Sequence, residues 1–432
     1  MTYDIYTPSS PEMPRLGKGT ECINLLLSQV SKDMREPLVP MIFPVLGAHI
    51  CAAEFQYPDR KWRETCGMMA NLVSESGGNK DQLTSLVEAL TRSFRLHDAQ
   101  SMKQISDWAN QMKTRSANKE KPARPVAPLW FPPNDITRPA FIQNALDLEK
   151  TDAHTLYINM SEVEMANRLC GGHREATQMF RNIYDRQRVG ALRATADGVT
   201  GYPLLRANLT ISATPKEVRK FFRHELSNGT FGRVVFSFKP LLSRDGRIPR
   251  QGEYSDTFLS ELDTYLQRLQ ECRGRYVISP LNKLVDRLAE DMCSLADQAD
   301  DNDLWNLGKR AVLSAWKAGC ILWVANNQTW TRAIAELVEW LVYHDMWSKL
   351  QIFGDLLTDE TDPMLEASRR GPKNMLTLLP QNFNASEVEN LRVKLGKSQA
   401  GTSGQLRKWV HRKFVTYNPA TGIYTKTLNN VV

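Results

Sequence analysis

The stretch Ser74-Glu75-Ser76-Gly77-Gly78-Asn79-Lys80-Asp81 follows the apolar run MMANLV and precedes an amphipathic segment. A buried strand, a glycine-rich bend, a lysine and a helix start, in that order, are the ingredients of a phosphate cradle. Glycines let main-chain N–H groups turn inward, the helix N-terminus adds positive potential, and the lysine reaches the outer phosphates. Ser76, Gly77, Gly78, Asn79, Lys80 and Asp81 are therefore the candidate residues for binding ATP. The run departs from G-x-x-x-x-G-K-[ST] at Ser74, at Asn79 and at Asp81, which stands where a Mg²⁺-holding hydroxyl is usual. Asparagine tolerates left-handed backbone geometry, so Asn79 suits its position. An ordinary turn at a strand–helix junction explains the same text.

A triphosphate site also needs a second strand whose end carries one carboxylate for Mg²⁺ and another to polarise water. The run LYINM ends in Ser161-Glu162, with Glu164 two residues on. Compared with the usual arrangement, the hydroxyl and the carboxylate have changed places. Asp81 and Ser161 are thus expected to hold Mg²⁺, with Glu162 as the catalytic base or water-positioner. The alternative is that magnesium binding has decayed and the fold survives as a scaffold. Thr214, closing LTISAT, is a candidate γ-phosphate sensor. Arg233 is a candidate arginine finger acting between subunits of a ring or filament, which implies a homo-oligomer. Arg181, Arg186, Arg188 and Arg193 are candidates to line a strand-binding channel. For each arginine, a surface or ion-paired role is the competing reading.

The elements that must carry these residues alternate in type. Strands are expected near 67–73, over HTLYINM (154–160), as two runs around an Asp-Gly turn between 191 and 214, and over GRVVFSF (232–238). The helix after the glycine bend is expected to reach about 95, and residues 20–60 read as helical. Strands alternating with helices predict an α/β sheet over roughly 35–240. Beyond Tyr254 the pattern is helical. Val312, Trp316, Cys320 and Trp323 fall on one face, and Ile334, Leu337 and Leu341 on the next, as packing stripes. The resulting division is a helical segment 1–60, a core 61–250, a helical region 251–357, a linker 358–373 and a terminal module 374–432. The polar run QMKTRSANKEKPARPVAP reads as an exposed excursion.

Seven cysteines, odd in number and without C-x-x-C, predict reduced thiols in a cytoplasmic protein. No apolar N-terminal core suggests an export signal. The run PLVPMIFPVLGAHICAAEF carries three prolines and reads as a buried helical layer rather than a membrane span. The chain holds 55 Lys+Arg and 48 Asp+Glu, yet from Ser368 onward there are 11 basic and 2 acidic residues. The first 367 residues therefore hold 44 and 46, and the positive excess sits entirely in the tail. Charge placed so unevenly predicts a polyanion partner, single- or double-stranded DNA.

In that tail Ser386 and Glu389 fit a capping box opening a helix with Val388, Leu391 and Leu395. In SGQLRKWVHRKF, Leu406, Trp409 and Val410 share one side and Arg407, Lys408, His411 and Arg412 the other. The runs FVTY and IYTKT then form a hairpin, whose Lys426 joins Arg407, Lys408, His411 and Arg412 as a candidate DNA contact. Helix, helix, basic helix and hairpin is the order of a winged helix, whose basic face meets phosphates or a major groove.

Taken in order, these motifs resemble a family. It is a "domain of unknown function" family, usually helicase-like, often fused to primase modules, and carried on mobilizable transposons and conjugative elements of Bacteroides-type bacteria. SGGNKD (76–81), NDIT (134–137), MSE (160–162), SATP (212–215) and GTFGRVVF (229–236) fall on its successive motifs. The resemblance implies a RecA-like P-loop core with helical additions at both ends, ATP and Mg²⁺ as cofactors, and a role in replication or mobilisation of an element. One reading is a helicase-like ATPase that binds ATP through Lys80. Another is a non-catalytic DNA-binding accessory partnering a primase, transposase or relaxase. A winged-helix transcriptional regulator is a third.

Overall fold

The structure, a computed structural model, describes residues 3–64, 67–114, 121–133, 136–151, 156–170, 172–190, 198–223, 225–226, 229–240, 253–354 and 374–427. Two units divide the chain. One comprises Pro14–Asn282 and Trp316–Val338, the other Met1–Met13, Lys283–Ala315 and Glu339–Val432. These bounds differ from the five segments read from the sequence, because the long C-terminal helices are shared out between the two units. The expected linker 358–373 lies outside the described residues.

The first unit opens with helices α1 (Glu21–Ser28) and α2 (Arg35–Ala48), then strands β1 (Ala52–Gln56), β2 (Trp62–Glu64) and β3 (Met69–Ser74). Helices α3 (Asp81–Leu90), α4 (Arg92–Thr114) and α5 (Arg138–Glu149) lead to β4 (Leu156–Met160). Helices α6 (Met165–Cys170) and α7 (His173–Tyr184) lead to β5 (Ala207–Ala213), and α8 (Pro215–Phe222) to β6 (Val235–Lys239). Helix α9 (Asp256–Glu271) and strand β7 (Arg273–Tyr276) complete the order before the long helices α10 (Ser279–Ala299), α11 (Asn302–Ala325) and α12 (Arg332–Phe353).

The fold is α/β. Strands β4, β5, β3 and β6 form, in that spatial order, one parallel sheet. All of β3 and most of the other three are buried, as expected of parallel strands covered on both faces. Helix α2 packs on this sheet and is buried from Pro37 to Ala48. Its interior Pro40 and Pro44 each forfeit a helical hydrogen bond, at about 3 kcal/mol. Burying Leu38, Ile42, Phe43, Val45 and Leu46 offsets this, at about 1.5–3 kcal/mol per side chain. No helix among the described residues is long and apolar enough to cross a membrane.

One expectation changes. The helical reading of 20–60 stops at Ala48, where β1 begins a second sheet of order β2-β1-β7. Of the two runs expected around the Asp-Gly turn, the second contains β5. Leu204 bridges Arg188, and the first run, 191–197, lies outside the described residues.

In the second unit the tail runs α13 (Met375–Leu378), β8 (Asn382–Phe383), α14 (Ala385–Lys394), α15 (Thr402–His411), β9 (Val415–Asn418) and β10 (Ile423–Lys426). Its antiparallel sheet has the order β8-β10-β9. Met375, Leu376, Phe383, Val388, Leu406 and Trp409 form its core, with Leu391 and Leu395 packed against it. The capping box on α14 sits two residues earlier than expected. Asn384 accepts from the Glu387 N–H while the Glu387 carboxylate accepts from the Asn384 N–H.

Candidate functional site

Connections leave the parallel sheet in opposite directions from two neighbouring strands. The chain leaves β3 toward β4, on one side, and leaves β5 toward β6, on the other. Such a switch point opens a crevice beyond the carboxyl ends of the strands, where ligands of open α/β sheets sit. Ser74, Thr214 and Ser161-Glu162 all follow carboxyl ends of this sheet. The register aligns Ser212 with Leu72, and the Ser212 hydroxyl donates to the Ser161 carbonyl at 3.3 Å. With strands about 4.8 Å apart, β4 ends roughly two spacings from the glycine bend.

The bend itself has mixed character. Gly77 (φ +80°) and Asn79 (φ +61°) are left-handed, as the sequence required. A Cβ on Gly78 would lie 1.9 Å from the hydroxyl oxygen of buried Ser74, so only glycine fits there. The N–H groups of Gly77, Asn79, Lys80 and Asp81 have no hydrogen-bond acceptor among the described residues. The Gly78 N–H, however, closes a turn onto the Glu75 carbonyl at 3.0 Å. Lys80 stands at the N-cap position of α3, makes no side-chain cap bond and is half-buried.

A residue the sequence reading missed holds this bend. Lys239, ending β6, donates to the Gly78 carbonyl (3.1 Å) and to the Asp33 carboxylate (2.6 Å). Burial would raise the Asp33 carboxyl, but the hydrogen bonds from Lys239 and Ser31 outweigh it and hold it below its ordinary value. The only sequence signal was a lysine ending an apolar strand.

Thr214 has a structural task. It caps α8 in a capping box: its hydroxyl accepts from the Glu217 N–H (3.4 Å), and the Glu217 carboxylate accepts from the Thr214 N–H (2.8 Å). The Thr214 N–H holds the Glu217 carboxyl below its ordinary value despite partial burial, and the positive charge of Lys80 adds to this. Lys80 therefore faces an anionic neighbour at the carboxyl edge. Glu162 is exposed just beyond β4, and Glu164 pairs with Lys220 at 2.8 Å.

The structure corrects Arg233. It precedes β6, so it lies at the amino edge of the parallel sheet, a strand length from the bend. Its guanidinium donates to the Asp185 carboxylate at 2.7 and 3.3 Å and to the Gly229 carbonyl at 2.6 Å. With 12% of its side chain exposed, Arg233 is a clamp between loops, not a free finger. The exchanged magnesium pair is also not preassembled. The Ser161 hydroxyl lies 3.4 Å from Met165 Sδ, and among the described residues no group of three His, Cys, Asp or Glu is arranged to hold a metal. Asn134 and Asp135 of NDIT, and Arg193, lie outside the described residues.

In the tail, Arg407, Lys408 and His411 are exposed on α15. Arg412 is turned inward to Glu290 and to Asp297 (3.1 Å), while Val410 points out, 39% exposed. Gln405 and Trp409 also donate to the Asp297 carbonyl. The inner face of α15 is thus Leu406, Trp409 and Arg412, one helical turn apart each. Lys426 donates to the Leu379 carbonyl at 2.6 Å, and burial lowers its ammonium below the ordinary value. Arg412 and Lys426 are bonded internally, which removes them from the free basic face.

No family model matches this chain, and a search of curated proteins finds no match.

Proposed function

We propose that the chain is a helicase-like, DNA-associated protein with a RecA-like P-loop core that binds the phosphates of ATP at the bend 76–81. The observation that carries this reading is the glycine bend with its uncommitted amides and Lys80 at the switch point of a parallel sheet. The likeness to the mobile-element family supports it, since the motifs at 76–81, 160–162 and 212–215 fall on carboxyl ends of one sheet. A C-terminal winged helix suits the helix–strand–helix–helix–hairpin order, with Arg407, Lys408 and His411 free to meet DNA phosphates.

The turn closed by the Gly78 N–H favours a second reading. In it the core is a degenerate P-loop serving a non-catalytic accessory of a primase, transposase or relaxase. Fluorescent ATP-analogue binding, and ATP turnover with and without single-stranded DNA, separate the two. The helicase-like reading expects DNA-stimulated turnover that Lys80→Ala abolishes. Analogue binding without turnover selects the accessory. No binding by the wild-type chain overturns the phosphate site altogether.

A further inference from the structure

A cleft of about 880 Å³ lies at the amino edge of the parallel sheet, away from the glycine bend. Arg188, Arg206, Arg273 and Arg275 line it together with Glu54 and Glu149. Arg206 immediately precedes β5, and its carbonyl accepts from the Leu156 N–H at the start of β4, which fixes the cleft at that edge. Both carboxylates are occupied. Glu149 accepts from Arg188 (3.2 Å) and from the Leu204 N–H (2.9 Å), and Glu54 accepts from Arg275 (2.8 Å). Arg273 donates only to the main-chain carbonyls of Gln270 and Cys272, so its charge meets no carboxylate among the described residues.

Two exposed rings accompany these cations. Tyr202 is 62% exposed, and its carbonyl accepts from Arg188 at 2.8 Å. Trp62 is 38% exposed, with the Arg275 guanidinium 5.4 Å from its ring centre. Tyr202 lies against Gly190 and Trp62 under Arg275, yet each keeps part of its ring exposed to water. Cations that take phosphates, next to flat faces that take bases, are how proteins hold unpaired strands. A duplex hides its base faces, and an acidic peptide has no use for the rings.

We infer that this cleft binds single-stranded nucleic acid, with its phosphates on Arg273 and Arg188 and its bases stacked on Tyr202 and Trp62. The inference stands apart from ATP binding and from the tail.

The test is fluorescence anisotropy of a short labelled oligothymidylate on the full chain, without nucleotide, across a salt titration. Arg273→Glu and Tyr202→Ala should each weaken binding about tenfold. Arg273→Glu should also flatten the salt dependence, and Arg273→Lys should restore most of it. Arg273→Glu and Tyr202→Ala should weaken binding by the same factor when placed in an Arg407→Ala/Lys408→Ala background, whatever that background itself does to affinity, which keeps this result separate from the tail. Wild-type failure to bind, or unchanged binding by both cleft variants, overturns the proposal. Displacement of the strand by polyglutamate as readily as by unlabelled oligothymidylate reassigns the cleft to acidic peptides and also overturns it.

Discussion

Lys239 stands opposite Ser74 in the register of β6 and β3, and only 13% of its side chain is exposed. From there its ammonium reaches both Asp33 and the Gly78 carbonyl, so one side chain sets the height of the bend that carries Lys80. Lys239→Met keeps the stem and removes the charge. Asp33 is about half-exposed and water can replace its partner, so the expected loss of stability is modest, about 1 kcal/mol by urea titration. Affinity for a fluorescent ATP analogue should fall by more than stability alone requires, because the loosened bend must be reordered on binding. The Asp33 carboxyl titrates below its ordinary value in the folded chain. The pair's contribution is therefore complete above about pH 4 and is lost as pH falls through the lower, folded value. Unchanged stability and unchanged affinity in Lys239→Met would show that the clamp does not shape the bend.

Helix α8 shows how one residue type can satisfy two readings at the scale of an element. Thr-Pro-Lys-Glu after β5 is both a candidate sensor position and a capping-box signature with proline at the first helical turn. The geometry assigns Thr214 to the cap, so Thr214→Val should cost about 1 kcal/mol of stability while Thr214→Ser costs little. A sensor role alone predicts altered turnover with stability unchanged, and calorimetry of both variants decides. The same competition explains what was legible in the chain. Strands β3, β4 and β6 are apolar runs and could be read directly. Strands β1 and β7 could not: Arg-Gly-Arg-Tyr has no apolar alternation, and its partner Ala52–Phe55 is far away in sequence. In the tail, Asn384/Glu387 and Ser386/Glu389 both fit a capping box, and the pairing of Phe383 with Tyr424 places the helix start at the earlier one. Amphipathicity put Arg412 outward. It turns inward because α10 supplies Glu290 and Asp297, acids that no local pattern links to it.

At the scale of the whole molecule, the N-terminal residues join the unit that contains most of α12 and the tail, not the sheet that follows them in sequence. Trp340 and Trp347 of α12 donate to the Pro11 and Thr7 carbonyls at 2.9 and 3.0 Å, strapping that segment down. Between them lies His344, 1% exposed, stacked on Trp340 at 4.5 Å and 3.3 Å from the Ser10 hydroxyl. Burial lowers its folded pKa from 6.5 to about 3, so the ring is neutral at neutral pH. An unfolded chain takes up the proton near pH 6.5, whereas the folded chain resists until about pH 3. The stability tied to the neutral ring is thus complete above pH 6.5 and falls as acid is added, by up to about 1.4 kcal/mol per pH unit. The carboxylates that share the lower part of this range begin to titrate only near pH 4–5, so between about pH 6.5 and 5 only histidines titrate, and the difference between wild type and a His344 variant reads His344 alone. His344→Gln keeps a polar group near Ser10 but cannot be charged. Urea midpoints measured at several pH values across that window should fall more steeply for the wild type than for the variant. Parallel slopes would mean that His344 meets water more readily than its packing allows, and that the strap over α12 opens before the chain unfolds.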